Sequence, residues 1–427
     1  MQTAVQYVDT FMVGSLGTEA TAAVGSTTTV NWLVGSTISA FGVGFLSYIS
    51  KAYGAGEKHR AAKASSQAVL VTLIAGSFFT VLTLSLSGVI PQWMQVEKSI
   101  RPLASRYFFI IYAPMLFRSA SIIFGTVLRA AGDTKTPMRV GILVNAVNVI
   151  GNFLLIYPTR TVSLLGKSFT VYGAGLGVVG AAAASAASFA AGGVCMSAAV
   201  LRHAELSPRG LGIKPDKEVL GECMKIAFPN MLQRFCTSLG YVFFASMINS
   251  VSAVSTAAHT VANTVESAFY IPGYGMQTAA ATLTGNNIGA KDAGRQQKMA
   301  RMLVLIEVVL MIVSGAVLFA FAPRLVSLFS EDSDVIKLGS TVLRMVALSE
   351  PFYGVSIVTE GMLQGAGKTE KPFIFNVICM WGVRILGTFV CIRLLGLGLV
   401  SAWGCMIANN LLLLVMFRIY YRKEELI

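Results

Sequence analysis

Charged side chains are scarce in this sequence, and their absence from long stretches decides its class. Asp, Glu, Lys and Arg make up 12% of the 427 residues, about half of the ~25% that is usual in soluble proteins. Residues 20–50, 64–95 and 394–417 carry no charge at all, and each run exceeds the roughly 20 apolar residues that a helix needs to cross a bilayer. A soluble globular protein is therefore excluded, and many membrane spans are predicted.

Motifs for catalysis, metal binding and nucleotide binding are also missing. The sequence contains no HExxH, GxSxG or Walker motif, and the predicted spans offer no carboxylate pair at helical spacing. Its six cysteines show no CxxC spacing, which favours packing roles over zinc or redox chemistry. We therefore expect no enzyme, no metal and no cofactor other than a coupling ion.

Apolar runs between charged or Gly- and Pro-rich breaks predict twelve helices. These runs are too long and too continuous for the alternating segments of a membrane β-barrel. The predicted spans are residues 1–15, 24–50, 64–89, 104–129, 137–157, 174–201, 225–250, 256–287, 299–322, 337–364, 371–394 and 397–420.

Lys and Arg outnumber Asp and Glu by 33 to 20, and their positions predict the topology. Twenty-one of the 33 fall on one side of the predicted spans, eight on the other and four within spans. Short loops rich in Lys and Arg stay in the cytoplasm, so both termini are predicted to be cytoplasmic in a multi-pass protein of the cell (inner) membrane. The net charge of +13 follows from this topology and does not indicate nucleic-acid binding.

Two sequence motifs recur at one spacing. Residues 54–63 match residues 289–298, and residues 128–137 match residues 363–372, both at an offset of 235. Two independent matches at one offset indicate an internal duplication. Each copy contains an even number of predicted spans, so the repeat is parallel and its axis lies along the membrane normal.

The duplication predicts the domain organisation. Residues 1–203 form an N-terminal six-helix lobe, residues 204–218 a cytoplasmic linker with two prolines and two glycines, and residues 219–427 a C-terminal six-helix lobe. The expected fold class is an all-α membrane protein with twelve transmembrane helices in two pseudo-symmetric bundles. An intramembrane seam between such halves is where transporters bind substrate.

Several short motifs follow one another in a fixed order. They are residues 9–17 (DTFMVGSLG), 22–25 (AAVG), 54–56 (GAG), 128–137 (LRAAGDTKTP), 180–185 (GAAAAS), 272–275 (PGYG) and 289–290 (GA). Together they resemble the multidrug and toxic compound extrusion (MATE) family of the multidrug/oligosaccharidyl-lipid/polysaccharide flippase superfamily. The resemblance implies an antiporter that exports lipophilic or cationic small molecules in exchange for H⁺ or Na⁺ by alternating access. Relatives have further residues ahead of the Asp that matches Asp9, so a shortened first span is expected.

Asp9 and an amide stripe are the first candidates for a coupling site. Asp9 is the only Asp in a predicted span, and a charged carboxylate at the bilayer centre costs about 2.5–3.5 kcal/mol on insertion scales. Asn145, Asn148 and Asn152 share one face of the fifth span at i, i+3 and i+7. Such amides either hydrogen-bond a neighbouring span or offer oxygen ligands to an alkali cation, and Asp9 is either a coupling group or an interfacial residue.

By resemblance, Asp9, Asn148, Asn152 and Ser185 fall on positions that line the cation site in the N-terminal lobe of similar transporters. Many relatives carry an acid where this chain has Asn152. One carboxylate fewer weakens the expected hold on Na⁺, so H⁺ and Na⁺ are both candidates for the coupling ion.

The second half has its own candidate, Glu266. Its coupling role competes with a structural ion pair to Arg234 or Arg384. Where relatives of the NorM type carry acids, the matching stretches of this chain hold Cys236 and Tyr353. Three further acids of the predicted spans in this half, Glu307, Glu350 and Glu360, are placed near span ends or the repeated motif, and structural roles are expected for them.

An aromatic and methionine-rich wall is expected for the substrate. Such side chains bind flat lipophilic cations through cation–π contacts and adaptable packing, although aromatic residues in spans also face lipid or the core. The candidates are Met12, Trp32, Tyr241, Phe244, Tyr270 and Met276.

Three other functions compete with multidrug efflux: a lipid-linked saccharide flippase, an intramembrane enzyme and a channel. A flippase needs a basic cavity for pyrophosphate, which Arg118, Arg234, Arg344 or Arg384 would have to supply. Two unequal halves do not make a symmetric pore. The expected partners are a small-molecule substrate and membrane lipids, with no nucleic acid, and the chain is expected to act as a monomer.

Overall fold

The computed structural model describes most of the chain as two compact units. The described residues are 9, 12–25, 27–94, 96–164 and 167–423. Unit 1 comprises residues 1–45 and 58–221, and unit 2 comprises residues 46–57 and 222–427.

Helices that precede the unit boundary at residue 221 are followed in chain order as α1 to α8, with one hairpin before α8. They are α1 (Thr18–Gly25), α2 (Thr28–Gly54), α3 (Lys58–Leu86), α4 (Ile90–Trp93), α5 (Arg101–Tyr112), α6 (Met115–Ala130), α7 (Lys135–Leu155), β1 (Pro158–Leu164), β2 (Lys167–Ala174) and α8 (Gly177–Arg202). Asp9 and residues 12–14 are also helical.

The second part of the chain is helical throughout, with two π-helical segments. Its elements are α9 (Lys217–Asn249), α10 (Ala253–Gly289), α11 (Ala293–Ser327), α12 (Ser333–Gly365), α13 (Glu370–Val377), a π segment (Ile378–Ile385), α14 (Leu386–Phe389), a second π segment (Val390–Leu394) and α15 (Leu399–Lys423).

Each predicted span from the second to the twelfth corresponds to a described helix or helix pair. The first predicted span lies mostly outside the described residues. Eight described helices are long and apolar enough to cross a membrane, and a ninth is gained if α5 and α6 count as one bent span. The helices α9 and α10 do not reach that threshold because they carry more polar side chains, several of them buried.

A β-hairpin departs from the all-α prediction. The prediction left residues 158–173, between the fifth and sixth spans, without regular structure, but β1 and β2 pair antiparallel there, with Arg160 opposite Val171. The Arg160 guanidinium lies 4.3 Å from the Phe153 ring and 4.1 Å from the Tyr157 ring. The hairpin was missed because spans were predicted from apolar runs of about 20 residues, and its strands are only seven and eight residues long.

Two spans deviate from straight α-helix. The fourth bends by 48° between α5 and α6, at Ala113 and Pro114. Pro114 has no N–H to donate, which ends one helix and lets the next begin. The eleventh contains both π segments, whose wider turns leave backbone groups less regularly paired and frequently occur at functional sites.

The surface of α11 shows how the helices meet lipid and core. Leu305, Val309 and Ile312 are more than half exposed and lie on one face of the helix, as expected for side chains that contact acyl chains. On the other face Gly315 meets the carbonyl oxygen of Ala347 at 2.6 Å from the position a Cβ would take. Small residues let membrane helices approach this closely.

Both repeated motifs fold into the same helix ending. After α2, the Gly56 N–H donates to the Tyr53 carbonyl at 3.1 Å and the Glu57 N–H to the Ala52 carbonyl at 2.9 Å. After α10, 235 residues later, Lys291 and Asp292 make the equivalent bonds at 3.1 and 3.2 Å. This pair of bonds defines the Schellman ending of a helix, which needs a left-handed residue.

The second motif repeats the arrangement. Gly132 and Asp133 close the end of α6, and Gly367 and Lys368 close the end of α12 through the same two bonds. The left-handed positions have φ of +87° at Gly132 and +77° at Gly367. The offset of 235 residues therefore reflects a shared local structure at both motifs.

Residues 46–57 group with unit 2, although the sequence assigned them to the N-terminal lobe. Ser47 Oγ donates to the Gly365 carbonyl at 2.9 Å, and Lys51 Nζ donates to the Ala366 carbonyl at 2.8 Å. The last carbonyls of a helix have no partner within it, so these side chains complete the end of α12.

Gly56 and Lys291 occupy equivalent left-handed positions, with φ of +75° and +55°. A side chain in this region costs roughly 1–2 kcal/mol. We expect Lys291→Gly to raise the melting temperature of the detergent-solubilised protein, and Gly56→Ala to lower it. A Cβ at Gly56 meets no atom within 4 Å, so the change in melting temperature of Gly56→Ala reports the cost of the left-handed backbone conformation without a steric clash. A lower melting temperature for Lys291→Gly would contradict the interpretation.

The predicted linker packs on α3 within unit 1. The buried Gln67 side chain donates to the Lys214 carbonyl and accepts from the Asp216 N–H, both at 3.0 Å. Lys63 forms an ion pair with Asp216. That contact, with the backbone N–H groups of Val219 and Glu218, lowers the pKa of Asp216. The segment is irregular in structure and held by side chains of one helix.

Gln67 makes two of these bonds, so its replacement tests how the linker is held. We expect Gln67→Met to speed trypsin cleavage at Arg209 or Lys217 by about tenfold or more, because each hydrogen bond contributes ~1 kcal/mol. Thr80→Val, which removes a hydroxyl bonded only to its own helix, is the matched control. Equal cleavage rates for the two variants would show that Gln67 does not hold the segment.

Candidate functional site

Asp9 is a buried hub of hydrogen bonds in unit 1. Its side chain is 2% exposed. Asn148 Nδ2 and Asn152 Nδ2 donate to its Oδ1 at 3.0 and 2.6 Å, and the Ser185 hydroxyl donates to its Oδ2. We call Asp9, Asn148, Asn152 and Ser185 the Asp9 group. The four residues named by resemblance thus lie together in one buried cluster.

Close packing of α7 and α8 sets up the group. A Cβ at Gly151 would lie 2.9 Å from that of Ala184, and one at Gly180 would overlap the Leu155 carbonyl. This proximity brings Asn148 Nδ2 to 2.8 Å from the Ser185 hydroxyl. The amides at Asn148 and Asn152 are one turn apart and point the same way.

Further oxygen atoms are available at the group. Asn152 Oδ1 is buried and accepts no hydrogen bond from a described residue. Carboxylate, amide carbonyl and hydroxyl oxygens are the ligands that hard cations prefer. Among the described residues, no three His, Cys, Asp or Glu side chains are placed to hold a metal ion. Oxygen ligands of this kind suit a proton or an alkali cation better than a transition metal.

Asn145, the third amide of the stripe, takes no part in the described hydrogen bonds of the Asp9 group. It lies half-buried two turns before Asn152, and its Oδ1 has no partner in the described part of the chain. Of the three amides that helical periodicity placed on one face, only Asn148 and Asn152 therefore donate hydrogen bonds to Asp9.

Glu266 lies in a buried polar cluster of unit 2. It is within electrostatic reach of Arg384, but neither Arg384 nor Arg234 forms an ion pair with it in the described structure. Arg384 instead donates to Met406 Sδ at 3.0 Å and stacks on two aromatic rings. The predicted structural ion pair is therefore absent, and Glu266 is buried near a cation without direct contact.

Two acids contradict the expectation that they lie near span ends. Glu307 lies within α11 and Glu350 in the middle of α12, both are fully buried, and none of their four carboxyl oxygens has a hydrogen-bond partner among described residues. Glu360, by contrast, accepts from Gln233 at 2.8 Å and from Gln364 at 3.1 Å. The signal available in the sequence was a single acid inside an otherwise apolar run.

The side chains predicted to line the substrate site differ widely in exposure. Trp32 in unit 1 is 56% exposed and Tyr241 in unit 2 is 43% exposed, but Phe244 is fully buried in the core of unit 2. Its ring carries the Arg384 guanidinium at 4.2 Å and meets the His259 ring at 5.6 Å. Phe244 is therefore corrected to a core position, because its faces are already occupied.

The other wall candidates are half-buried. Tyr270 packs edge-to-face against Tyr274 and Tyr353, with ring centroids 5.7 and 6.1 Å away. Met276 packs beside the second core cluster of unit 2. In unit 1, the carbonyl of Met12 accepts hydrogen bonds from Ser15 and Tyr157.

Comparisons with known proteins agree with this architecture. The profile of the MatE family matches residues 1–154 and 229–390. A probable multidrug resistance protein NorM of Thermotoga maritima is 27% identical over 402 residues, which cover 94% of this chain and 84% of that protein. The probable multidrug resistance protein YoeA of Bacillus subtilis is 23% identical, over 100% of this chain and 92% of that protein.

Solved structures show the same fold. An outward-facing multidrug resistance MATE transporter of the MOP superfamily has a TM-score of 0.90 at 22% identity, covering 99% of this chain and 92% of that one. A MATE structure in the bent conformation has a TM-score of 0.89 at 22% identity, covering 99% and 91%. The architecture is accordingly that of MATE transporters, with twelve transmembrane helices in two bundles. The chain belongs to the MatE family.

Proposed function

We propose that this protein is a secondary active multidrug efflux antiporter of the cell (inner) membrane. It exports lipophilic or cationic small molecules in exchange for H⁺ or Na⁺ by alternating access, as a monomer with both termini in the cytoplasm. Relatives named as multidrug resistance and export proteins support this proposal. The observation that carries it is the Asp9 group, a buried carboxyl surrounded by amide and hydroxyl side chains in a membrane-spanning chain.

The hydrogen bonds of the Asp9 group give coupling a physical basis. All three bonds to Asp9 are donated to it, which stabilises its ionised form. A bound proton removes the charge and makes one carboxyl oxygen a donor, so at least one of these partners must turn or leave. A bound Na⁺ instead requires oxygens, and the amides of Asn148 and Asn152 can turn their carbonyls inward.

Binding and release of the coupling ion at Asp9 therefore change which atoms join the helix that carries Asp9 to α7 and α8. The ion-bound protein and the ion-free protein each favour their own set of contacts. A ligand shifts a conformational equilibrium only through such differences in affinity. Export of a substrate follows if the two sets favour opposite sides of the transport cycle.

For the substrate, the exposed aromatic residues offer cation–π contacts. Tyr241 is partly exposed and carries the Arg384 guanidinium on one face, which leaves the other for a substrate, and Tyr270 lies in a cluster with Tyr274 and Tyr353. Rings in this arrangement bind flat cations through their faces and adapt to different shapes. Such sites favour a range of lipophilic molecules over one specific ligand.

Replacing Asp9 tests the coupling role. Asp9→Asn preserves shape and can still accept hydrogen bonds, but it cannot exchange a proton or offer a full charge to a cation. We expect gradient-driven dye efflux from proteoliposomes to be abolished while the protein still inserts and purifies as a single species. Glu19→Gln, an exposed acid of the same unit, is the control. Normal transport by Asp9→Asn would make Glu266 the leading coupling candidate.

A second carboxylate at Asn152 should strengthen coupling. Asn152 Nδ2 lies 2.6 Å from Asp9 Oδ1, so Asn152→Asp would place two carboxylates in contact. Two charges 4 Å apart repel by about 4 kcal/mol at an effective dielectric constant of 20, so the pair shares a proton or a cation. We expect the Na⁺ or pH dependence of efflux to shift by about tenfold or more towards tighter ion binding.

The measurement is dye efflux from proteoliposomes under Na⁺ and pH gradients varied separately. Asn145→Asp is the matched control, because it adds a carboxylate on the same helix outside the described bonds of the Asp9 group. An unchanged ion dependence in folded Asn152→Asp, or an equal shift in both variants, would assign Asn152 to helix packing.

A further inference from the structure

Two cysteines of unit 2 lie in contact, although nothing in their spacing along the chain pairs them. Cys391 lies in the second π segment, and Cys405 lies in α15, 14 positions later. Both are free thiols, and their sulfur atoms are 3.8 Å apart. The absence of CxxC spacing favoured packing roles for all six cysteines, but the fold brings these two sulfurs together from different spans.

The π segments of the eleventh span decide where the Cys391 side chain points. Ile378–Ile385 and Val390–Leu394 are π-helical, and i→i+5 bonding gives a wider turn than the 3.6 residues of an α-helix. Side chains beyond such a segment therefore point in directions that a regular α-helix would not give. The Cys391 carbonyl accepts from the Leu397 N–H at 2.8 Å, which also fixes the backbone at this residue.

A glycine makes room for the two sulfurs. A Cβ at Gly387, one turn before Cys391, would lie 3.1 Å from Cys405 Sγ, so a larger residue there would press on that thiol. The bond of a disulfide is about 2.05 Å long, and the two sulfurs therefore need to approach by less than about 2 Å to form one. Rotation of the two side chains about their Cα–Cβ bonds can bring the sulfurs closer.

Cys379 shows what distinguishes this pair of cysteines from the others. It lies in the second core cluster of unit 2, and its sulfur is 3.7 Å from Sδ of Met416. A thioether cannot form a disulfide, so that contact is packing alone. The similar contact between Cys391 and Cys405 joins two thiols, and both are half-buried, whereas Cys379 is buried.

The pair lies near the loop that joins the last two spans. Cys391 precedes this loop by about one turn of helix, and Cys405 follows the start of α15 at Leu399 by about 9 Å. All four residues of the loop, 395–398, are exposed. In the proposed orientation α15 ends in the cytoplasm, so the loop lies outside it, where glutathione does not keep thiols reduced.

We propose that Cys391 and Cys405 are an oxidant-sensitive thiol pair, which hydrogen peroxide converts into an intramolecular disulfide between the eleventh and twelfth spans. The pairing follows from the contact of the two sulfurs within unit 2 and does not depend on the exported substrate. The exposure of the pair to oxidants outside the cytoplasm rests on the proposed orientation of the chain.

The reaction consumes one peroxide for each disulfide. One thiol sulfur attacks a peroxide oxygen, the O–O bond breaks, and a sulfenic acid and water form. The second thiol then attacks the sulfenic sulfur, the S–O bond breaks, and a second water leaves as the S–S bond forms. The two sulfurs together lose two electrons, and peroxide is reduced to two waters.

Tryptic peptides test the bond directly, because Arg393 lies between the two cysteines. Residues 385–393 carry only Cys391, and residues 394–418 carry only Cys405. Purified protein is treated with peroxide, denatured with N-ethylmaleimide to block the remaining thiols, and digested. In protein that runs as a monomer without reductant, we expect these two peptides to be linked and to separate on treatment with dithiothreitol. The peptide that carries Cys379 is the internal control and should carry maleimide.

Serine variants connect the bond to the fold. A disulfide that closes a loop of about 15 residues restricts the unfolded chain, so we expect peroxide to raise the melting temperature of the wild type by about 5 °C. Cys391→Ser and Cys405→Ser should each abolish both the linked peptides and this rise. Cys236→Ser removes another half-buried thiol of unit 2 and should retain both.

Two results would overturn the proposal. One is oxidation of Cys391 and Cys405 to sulfinic acids without linked peptides, or linkage of either one to the other cysteines as often as to its neighbour. The second is a melting temperature that stays the same or falls in the linked protein, because the bond would then not fit the native fold.

The orientation is tested separately. Leu395→Cys adds a thiol in the loop at a residue that is 63% exposed. A membrane-impermeant maleimide should label this variant in intact cells above the level of the wild type. Labelling only after the cells are opened would count against the proposed orientation alone, because the peptide assay uses purified protein.

Discussion

Polar groups in the membrane-spanning part of this chain have to find partners within the protein, because the bilayer core holds no water to replace them. This constraint explains why the described spans are helices. The ends of the helices obey a related rule, since their last carbonyls have no partner within the helix. Both copies of each repeated motif satisfy them with the same pair of backbone hydrogen bonds, and Ser47 and Lys51 bond the last carbonyls of α12. Exceptions to the constraint therefore carry information about ligands.

Buried polar side chains fall into two classes by this criterion. Asp9 accepts three hydrogen bonds from neighbours; these bonds favour its ionised form, whereas its burial favours the neutral form. Arg118, Glu307 and Glu350 are buried with donors or oxygens that no described residue satisfies. The first arrangement suits a group whose charge is to be gained and lost at a defined place. The second leaves polar atoms that only a proton, water or a ligand can satisfy.

The two units share a plan of helix ends but differ in chemistry. In unit 1 the buried acid is Asp9, surrounded by amide and hydroxyl groups. In unit 2 three acids, Glu266, Glu307 and Glu350, are buried on three successive helices. Glu350 lies within electrostatic reach of the other two, and Glu266 is also within reach of Arg384. The turns of the two copies stay alike because their left-handed backbone conformation tolerates few residue types. The helix interiors diverge because many combinations of side chains can pack a core equally well.

Particular residues show how far the sequence reached. Charge-free runs predicted the spans, because bilayer thickness fixes their length, and matching turns revealed the repeat. Helical periodicity predicted that Asn148 and Asn152 share one face of a helix. The resemblance to a known family predicted that they lie in one site with Asp9 and Ser185. Neither periodicity nor resemblance predicted that Asn145 lies outside the hydrogen bonds of the Asp9 group, because those bonds depend on the position of a neighbouring helix. The hairpin at residues 158–174 and the mid-helix burial of Glu307 were likewise missed.

By itself the sequence determined a polytopic membrane protein, its approximate spans and its two related halves, since these follow from local composition and backbone chemistry. Only the tertiary structure decided which polar side chains meet. It placed Phe244 in the core beneath Arg384, and it brought no arginine into an ion pair with Glu266 and no acid into one with Arg118 among the described residues. The physical reason is that hydrophobicity is read along the chain, whereas the satisfaction of a buried polar group depends on atoms brought together from distant helices.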